Sequence, residues 1–236
     1  MVQKTRLMNG TKGSLITAVD VGSTKIACFI AQLSAKEKVE VIGIGYQVSK
    51  GMKNGNIVDM DAVEESIRAA VESAEQMAGE NVRNITVCMA GGVPNSKLVS
   101  FDVSIGGHEI GAADLRRALD PAWLHSQQTA DRKVIHTLPV GYSIDGNRGV
   151  RDPRGMHGDK LGVNMHIMTA AAGAMRNLEA CIHRCHLDIE SYVIAPYAAG
   201  LACLVDDEKD LGATCIDMGG GTSKIAIVKD GKVAET

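Results

Sequence analysis

The chain has 236 residues, which is enough to bury a sizeable core, and 45% of them are hydrophobic. Its formal net charge of -3 excludes a general electrostatic attraction to nucleic acid or anionic lipid. No apolar run approaches the roughly 20 residues of a membrane-spanning helix, and the N-terminus lacks a signal-peptide core. The six cysteines are scattered within apolar segments, which favours buried thiols, so we expect a cytoplasmic protein.

The first predicted element is a β-hairpin over residues 14–31, in which two apolar runs flank a short turn. An aspartate, small residues and a lysine form its tip, namely Asp20, Gly22, Ser23, Thr24 and Lys25. Glycine permits positive φ and has no Cβ, so backbone N–H groups at such a tip can converge on an anion such as phosphate. A lone Asp-Gly turn is weak support, because it joins many hairpins that bind nothing.

Apolar periodicity predicts alternating strands and helices in the middle of the chain. A strand at 39–46 and a turn-rich crossing at 49–59 precede a helix that Asp61 caps, with Glu64 as its capping-box partner, and that Gly79 ends. The predicted buried face of this helix comprises Val63, Ile67, Ala70, Val71, Ala74 and Met77. Further strands are predicted at 84–90, 99–105, 134–142, 164–170 and 191–195, and further helices at 112–119, which Asp120-Pro121 ends, and at 196–204.

A helix is also predicted around Met175, Leu178, Ile182 and Cys185, which trace one apolar side. Cys181, His183, Cys185 and His186 bring together side chains that can bind metal. Cys181 and Cys185 share a helix face, but no second pair of ligands is in sight. The pattern therefore favours core packing over a metal site.

A second hairpin at 212–228 follows a charged turn at 206–210. Its tip contains Asp217, Gly219, Gly220, Gly221 and Thr222. Both hairpins share the order aspartate, glycine, hydroxyl, lysine, isoleucine, alanine, which suggests an internal duplication whose two tips grip one polyphosphate. A Walker P-loop or a Rossmann fingerprint fits less well, since a strand and not a helix follows each turn.

The paired hairpins resemble the phosphate-1 and phosphate-2 loops of the actin, Hsp70 and sugar-kinase superfamily. This resemblance implies an α/β, actin-like (ribonuclease H-like) fold that binds ATP with Mg²⁺. Asp20 and Asp217 would act on Mg²⁺ through water, while backbone amides and hydroxyls hold the β- and γ-phosphates. The alternative is that some of the four hydroxyl side chains only satisfy backbone groups of their turns, namely those of Ser23, Thr24, Thr222 and Ser223.

Three segments, at 49–75, 136–142 and 152–158, resemble bacterial cell-division protein FtsA more specifically, and the likeness extends over nearly the whole chain from residue 14. It implies subdomain IA at 14–97 and 168–205, with an inserted α+β subdomain 1C at 98–167. Residues 206–236 would begin subdomain IIA, truncated after its first hairpin. We therefore expect a fragment of a longer protein.

The same resemblance implies a function in septum assembly. An FtsA-type protein would polymerise in its ATP-bound form and help anchor the FtsZ ring to the cytoplasmic membrane, with other division proteins contacting subdomain 1C. The family attaches to the membrane through a C-terminal helix that we do not find in this sequence. The expected location is the cytoplasmic face of the inner membrane at the division site.

The connecting helix departs from the superfamily pattern. Hsp70 relatives carry a glutamate immediately before the helix proline to orient the attacking water, and this chain has Ala195 there. Alanine can neither orient nor deprotonate water, so water positioning would depend on Asp217 alone. We expect at most a slow ATPase that acts mainly as a nucleotide-dependent scaffold.

Two other functions stay open. A phosphotransferase or chaperone ATPase of the same superfamily would need a catalytic carboxylate where Ala195 stands. A structural adaptor that keeps the fold without nucleotide would have no use for Asp20 and Asp217 in matched loops, which argues against that reading.

Overall fold

A computed structural model describes residues 14–34, 38–119 and 129–235. The strands are β1 (Leu15–Val21), β2 (Lys25–Leu33), β3 (Val39–Val48), β4 (Met52–Lys53), β5 (Asn56–Ile57), β6 (Asn84–Met89), β7 (Asn95–Ser104), β8 (Arg132–Ile144), β9 (Asn147–Val150), β10 (Lys160–Ala171), β11 (Asp188–Ile194), β12 (Ala213–Met218), β13 (Ser223–Lys229) and β14 (Lys232–Glu235). The helices are α1 (Met60–Ala78), α2 (Ala112–Ala118), α3 (Ala172–Arg184), α4 (Ala195–Cys203) and α5 (Asp206–Leu211).

The chain divides into two compact units. Among the described residues, the first contains those up to Gly92, Gly173–Ala195 and Met218–Ser223, and the second contains those between Val93 and Ala172, Pro196–Asp217 and those from Lys224 onward. Both phosphate-loop candidates, the β1–β2 turn and residues Met218–Ser223, therefore belong to the first unit.

The first unit is built on a five-stranded sheet with the order β11-β6-β1-β2-β3. β1 pairs antiparallel with β2 and parallel with β6, and β6 pairs parallel with β11. Alternate residues of β1 such as Val19 and Val21 are buried, as expected for a strand with one face in a core. The carboxyl ends of β1, β6 and β11 consequently lie at one edge of the sheet, where open α/β sheets bind ligands.

Two glycines let α1 pack closely on strand β3. An ideal Cβ on Gly43 would lie 2.3 Å from the carbonyl oxygen of Ala74, and one on Gly45 would lie 1.7 Å from that of Ala70. Real Cβ atoms do not approach backbone this closely, so any larger residue would push the helix off the sheet. The glycines of β3 thus fix the spacing of the two layers.

The start of α1 differs from the prediction. Asp59, and not Asp61, is the N-cap: its backbone is extended, and its carboxylate accepts a hydrogen bond from the N–H of Ala62 at 3.1 Å. Asp61 already lies in the first helical turn. Met77 was wrongly assigned to the buried face and is 64% exposed, whereas Gly79 ends the helix in the left-handed conformation, as predicted.

The buried side of α3 includes Met175, Leu178 and Ile182, as predicted, but Cys185 follows the end of the helix. The thiols of Cys181 and Cys185 donate to the carbonyl oxygens of two α1 residues, at 3.7 and 3.5 Å. Burial raises the pKa of Cys185 to about 11, so this thiol stays protonated. Within the described ranges, no cluster of three or more His, Cys, Asp and Glu side chains has the arrangement of a metal site.

The second unit contains a four-stranded sheet with the order β7-β10-β8-β9, in which all the neighbouring strands are antiparallel. One face of this sheet and helix α2 bury a separate hydrophobic cluster that includes Ile110, Leu161, Val163 and Ile167. Such a cluster is what an inserted α+β subdomain requires, because it must bury its own core. The predicted helix stop at Asp120-Pro121 lies outside the described residues.

The predicted charged turn at 206–210 is wrong, since these residues form helix α5. Three acidic residues in its first turn suit the positive end of the helix dipole, and the Glu208 carboxylate accepts from the N–H of Val205 at 3.0 Å. The second hairpin follows as predicted in a three-stranded sheet with the order β12-β13-β14. Among the helices described here, none is both long enough and apolar enough to cross a bilayer.

Candidate functional site

The tip of the first hairpin is a tight turn. The N–H of Gly22 donates to the carbonyl oxygen of Lys25 at 3.0 Å, and an ideal Cβ on Gly22 would lie 2.8 Å from that oxygen. Thr24 and Lys25 are exposed, while Asp20 is partly buried as the last-but-one residue of β1. The turn therefore presents its hydroxyls and its lysine at the end of the strand pair.

The tip of the second hairpin has the same construction. The N–H of Gly219 donates to the carbonyl oxygen of Thr222 at 2.9 Å, which closes the turn. Gly219 and Gly220 are exposed. This turn presents backbone groups and the Thr222 hydroxyl, with little side-chain bulk.

The two tips are in direct contact. An ideal Cβ on Gly220 would lie only 2.0 Å from Cγ2 and 2.9 Å from Oγ1 of Thr24. A Cβ on Gly221 would lie 2.6 Å from the hydroxyl oxygen of Ser23. Both glycines are therefore needed for the turns to approach, and the hydroxyls of Ser23 and Thr24 lie at their junction.

Asp217 has a partner that the sequence analysis did not assign. In the second unit, Nζ of Lys224 lies 3.3 Å from Oδ2 of Asp217, and the lysine side chain is only 11% exposed. Asp217 is the last-but-one residue of β12, as Asp20 is of β1. A metal ion at Asp217 would therefore share this carboxylate with an ammonium group already in place.

A third turn, within the turn-rich crossing predicted at 49–59, contacts both tips, and sequence reasoning missed this association. The N–H of Gly55 donates to the Ser23 hydroxyl at 2.9 Å, and an ideal Cβ on Gly55 would lie 3.4 Å from Cγ2 of Thr222. Asn54-Gly55 is a strong hairpin signal in sequence, and it could have been found as a turn. Its association with Ser23, 32 residues away, could not have been found in this way.

A cleft of about 200 Å³ opens beside this turn in the first unit. It lies at the carboxyl ends of β1 and β6, where Val21 and Met89 line it, and Gly55, Gly91 and Gly92 contribute backbone to its wall. Complete small-molecule pockets usually measure about 300–1,000 Å³. The cleft is therefore smaller than a complete small-molecule pocket, and its lining, which includes Met52, Ile57 and Leu178, is largely apolar.

The residues of the two tips fit a polyphosphate. Their glycines let the two turns approach closely, and the three hydroxyls of Ser23, Thr24 and Thr222 can donate to an anion. Asp20 of the first unit carries the kind of carboxylate oxygens that Mg²⁺ prefers, directly or through water, and Asp217 of the second unit carries the same group. The Ser23 hydroxyl already accepts a hydrogen bond from the N–H of Gly55. This contact also supports the alternative that the hydroxyl only satisfies a backbone group.

Comparisons with known proteins, by family model and by sequence, find similarity to the same family. Residues 91–169 match the family described as "SHS2 domain inserted in FTSA". The chain is 44% identical to Cell division protein FtsA of Agrobacterium fabrum over 239 residues, which cover 97% of this chain and 54% of the relative. It is 45% identical to Cell division protein FtsA of Rhizobium meliloti over 232 residues, which cover 94% and 52%. The chain spans about half the length of the curated relatives it matches.

Among solved structures, the fold is similar to the PilM-PilN type IV pilus biogenesis complex, with a TM-score of 0.60 and 11% sequence identity. That match covers 92% of this chain and 59% of the other, and at this identity it shows the fold alone. Together the matches confirm the resemblance to FtsA, the actin-like α/β fold and the presence of the inserted subdomain.

Proposed function

This chain is related to the FtsA family of actin-like cell-division proteins, and we propose that it carries the phosphate-binding part of an ATP site. In this proposal the β1–β2 turn and the β12–β13 turn hold the β- and γ-phosphates through backbone amides and hydroxyls. Asp20 and Asp217 act on Mg²⁺ through water. The bound Mg²⁺ would neutralise negative charge on the phosphates. Lys25 adds a positive charge at the first tip.

The observation that carries this proposal is the contact between the two tips. Gly220 meets Thr24 and Gly221 meets Ser23 at separations that leave no space for a Cβ. Ordinary hairpins that bind nothing have no need for two bare glycine turns tip to tip. Apposed amide-rich turns with hydroxyls at their junction are what a bound phosphate chain requires.

We further propose that hydrolysis is slow. Ala195 begins α4 with only 9% of its surface exposed, and its methyl group cannot orient a water molecule. Water positioning then depends on Asp217, whose carboxylate is paired with Lys224. A nucleotide-dependent scaffold is the function that fits such a site.

On the larger scale we propose the role implied by the family. The ATP-bound protein polymerises, helps anchor the FtsZ ring at the cytoplasmic face of the inner membrane, and contacts other division proteins through its inserted subdomain. The support for this is the similarity to FtsA along nearly the whole chain.

The test is binding of ATP to the purified protein at its native length, with and without Mg²⁺, by calorimetry and by thermal denaturation. We expect Mg²⁺-dependent binding, and we expect Asp217→Asn to weaken it about tenfold through loss of one charged partner of the metal. Asp207→Asn, an exposed aspartate of α5, is the matched control and should bind like the wild type.

Two results would decide against this proposal. Absence of any protection by Mg-ATP would favour a nucleotide-free adaptor. Rapid phosphate release that Asp217→Ala abolishes would favour a phosphotransferase or chaperone ATPase.

A further inference from the structure

We propose that the Asn54–Gly55 turn is a positioning element of the phosphate site, which fixes the Ser23 hydroxyl so that its proton faces the bound phosphate. This inference rests on the proposed function of the two tips. It assigns a role to a turn that belongs to neither of them.

The backbone of this turn has the geometry that aims one N–H out of the hairpin. Asn54 and Gly55 have φ values of 49° and 77°, and they join β4 to β5 in a two-residue turn of the type that requires positive φ at both positions. The Gly55 N–H points to the Ser23 hydroxyl at 2.9 Å. Gly55 is itself buried.

Accepting this hydrogen bond determines what the Ser23 hydroxyl can still do. A hydroxyl has one proton to donate and two lone pairs to accept with. The Gly55 N–H occupies one lone pair of the Ser23 hydroxyl oxygen. Gly221 of the second tip packs against the same oxygen, since a Cβ on Gly221 would lie 2.6 Å from it. The proton remains for an anion bound beside the two tips, which is where the phosphate of the proposed function would lie.

The turn is also supported from behind. An ideal Cβ on Gly91 would lie 1.6 Å from the carbonyl oxygen of Gly55, and a Cβ on Gly55 would lie 2.9 Å from Cα of Gly91. With backbone packed against backbone, the Gly55 N–H cannot move away from Ser23 without displacing Gly91. Such rigid support is what holds a binding group in a productive geometry before the ligand arrives.

Three variants of the purified protein at its native length test this role. Ser23→Ala removes the hydroxyl, and Gly55→Ala places a Cβ against Gly91 at a positive φ. Gly79→Ala is the matched control, because its φ of 68° imposes the same backbone strain while no atom of the described residues lies within 4 Å of an added Cβ. Mg-ATP affinity is measured by calorimetry well below each variant's melting temperature.

We expect Ser23→Ala and Gly55→Ala each to bind Mg-ATP about tenfold more weakly, while Gly79→Ala binds like the wild type. The double variant should also be about tenfold weaker and not a hundredfold, since the two residues act through one hydrogen bond. Amide exchange of Gly55 in the ligand-free protein should accelerate in Ser23→Ala, which tests the hydrogen bond without any nucleotide.

The outcomes separate this inference from the proposed function. Wild-type affinity in Gly55→Ala, or unchanged exchange of the Gly55 amide in Ser23→Ala, would overturn the positioning role and leave the ATP site standing. Failure of the wild type to bind Mg-ATP would overturn both. Additive losses in the double variant would show that Ser23 and Gly55 act separately, which also contradicts the inference.

Discussion

Adding a single methyl group to Gly220 should separate the two phosphate-binding tips. In Gly220→Ala, the new Cβ would lie 2.0 Å from Cγ2 of Thr24, whereas carbon atoms normally meet at about 3.5–4.0 Å. The tips must therefore move apart by about 1.5 Å. Thr24 is β-branched, so its side chain has few alternative rotamers with which to avoid the methyl group.

The cost should appear in ligand binding more than in folding. Overpacking costs about 1–3 kcal/mol where the surroundings cannot relax. Gly220 is exposed, so the free protein can relax by opening the tips, but a phosphate chain held by both tips must close them again. If this 1–3 kcal/mol is lost from the free energy of binding, the dissociation constant for Mg-ATP rises about 10- to 100-fold, because 1.4 kcal/mol corresponds to a factor of ten.

The assay is calorimetric titration with Mg-ATP, accompanied by urea unfolding of each variant. Gly173→Ala is the control, since an added Cβ there would have no contact within 4 Å in the described part of the chain, apart from the backbone of its own helix. Thr24→Ser in the Gly220→Ala background should recover part of the affinity, because it removes Cγ2 and keeps the hydroxyl. Recovery should stay incomplete, since contacts to Oγ1 and Cβ at 2.9 and 3.0 Å remain.

Wild-type affinity in Gly220→Ala would refute this reasoning, because it would mean that the ligand does not need the tips to touch. No recovery on adding Thr24→Ser would also count against it, since the loss would then have another cause than the Cγ2 contact.

Three further changes test the fold that carries the site. Asp59→Ala should lower the free energy of unfolding by about 1 kcal/mol, because it removes the N-cap of α1. Asp61→Ala should lower it by clearly less. Equal losses for the two variants in urea unfolding would contradict the assignment of Asp59 as the cap. Gly45→Ala should cost about 3 kcal/mol or more, because its Cβ would strike a rigid backbone carbonyl of α1, and a melting temperature equal to that of the wild type would argue against this packing. Burial, with repulsion from His166, lowers the pKa of His136 from 6.5 to about 4. As the pH falls, His136 therefore takes up a proton in the unfolded chain before it does so in the folded protein. The free energy of unfolding should decrease by about 3 kcal/mol as the pH falls from 6.5 to below 4. His136→Phe should reduce this acid sensitivity of the midpoint in urea, and an unchanged pH profile would show that His136 is not responsible.

The sequence predicted those features whose physical cause lies within a few residues. The two hairpins, each with an aspartate one or two residues before its turn, follow from alternating apolar runs and from glycine at the tip. The end of α1 at Gly79 follows from the freedom of glycine to adopt positive φ. The FtsA-like motifs indicated the fold and the insertion, and the comparisons confirmed both.

Competition between similar local signals was harder to resolve. Asp59 and Asp61 are both plausible caps, and the choice depends on which backbone is extended where the chain leaves the preceding turn. Met77 continues the apolar periodicity of α1, yet the described part of the chain leaves its side chain largely exposed. In each case the sequence supplies the candidates, and the packing of the neighbouring chain selects among them.

Contacts between distant segments could not be predicted at all. The hydrogen bond from Gly55 to Ser23, and the close approach of Gly221 to that same hydroxyl, join parts of the chain that no local pattern relates. Local chemistry sets φ, turns and caps because those interactions span a few residues. Which turns meet depends on the path of the whole chain through the sheet, so only the tertiary structure brings the glycine turns together into one site.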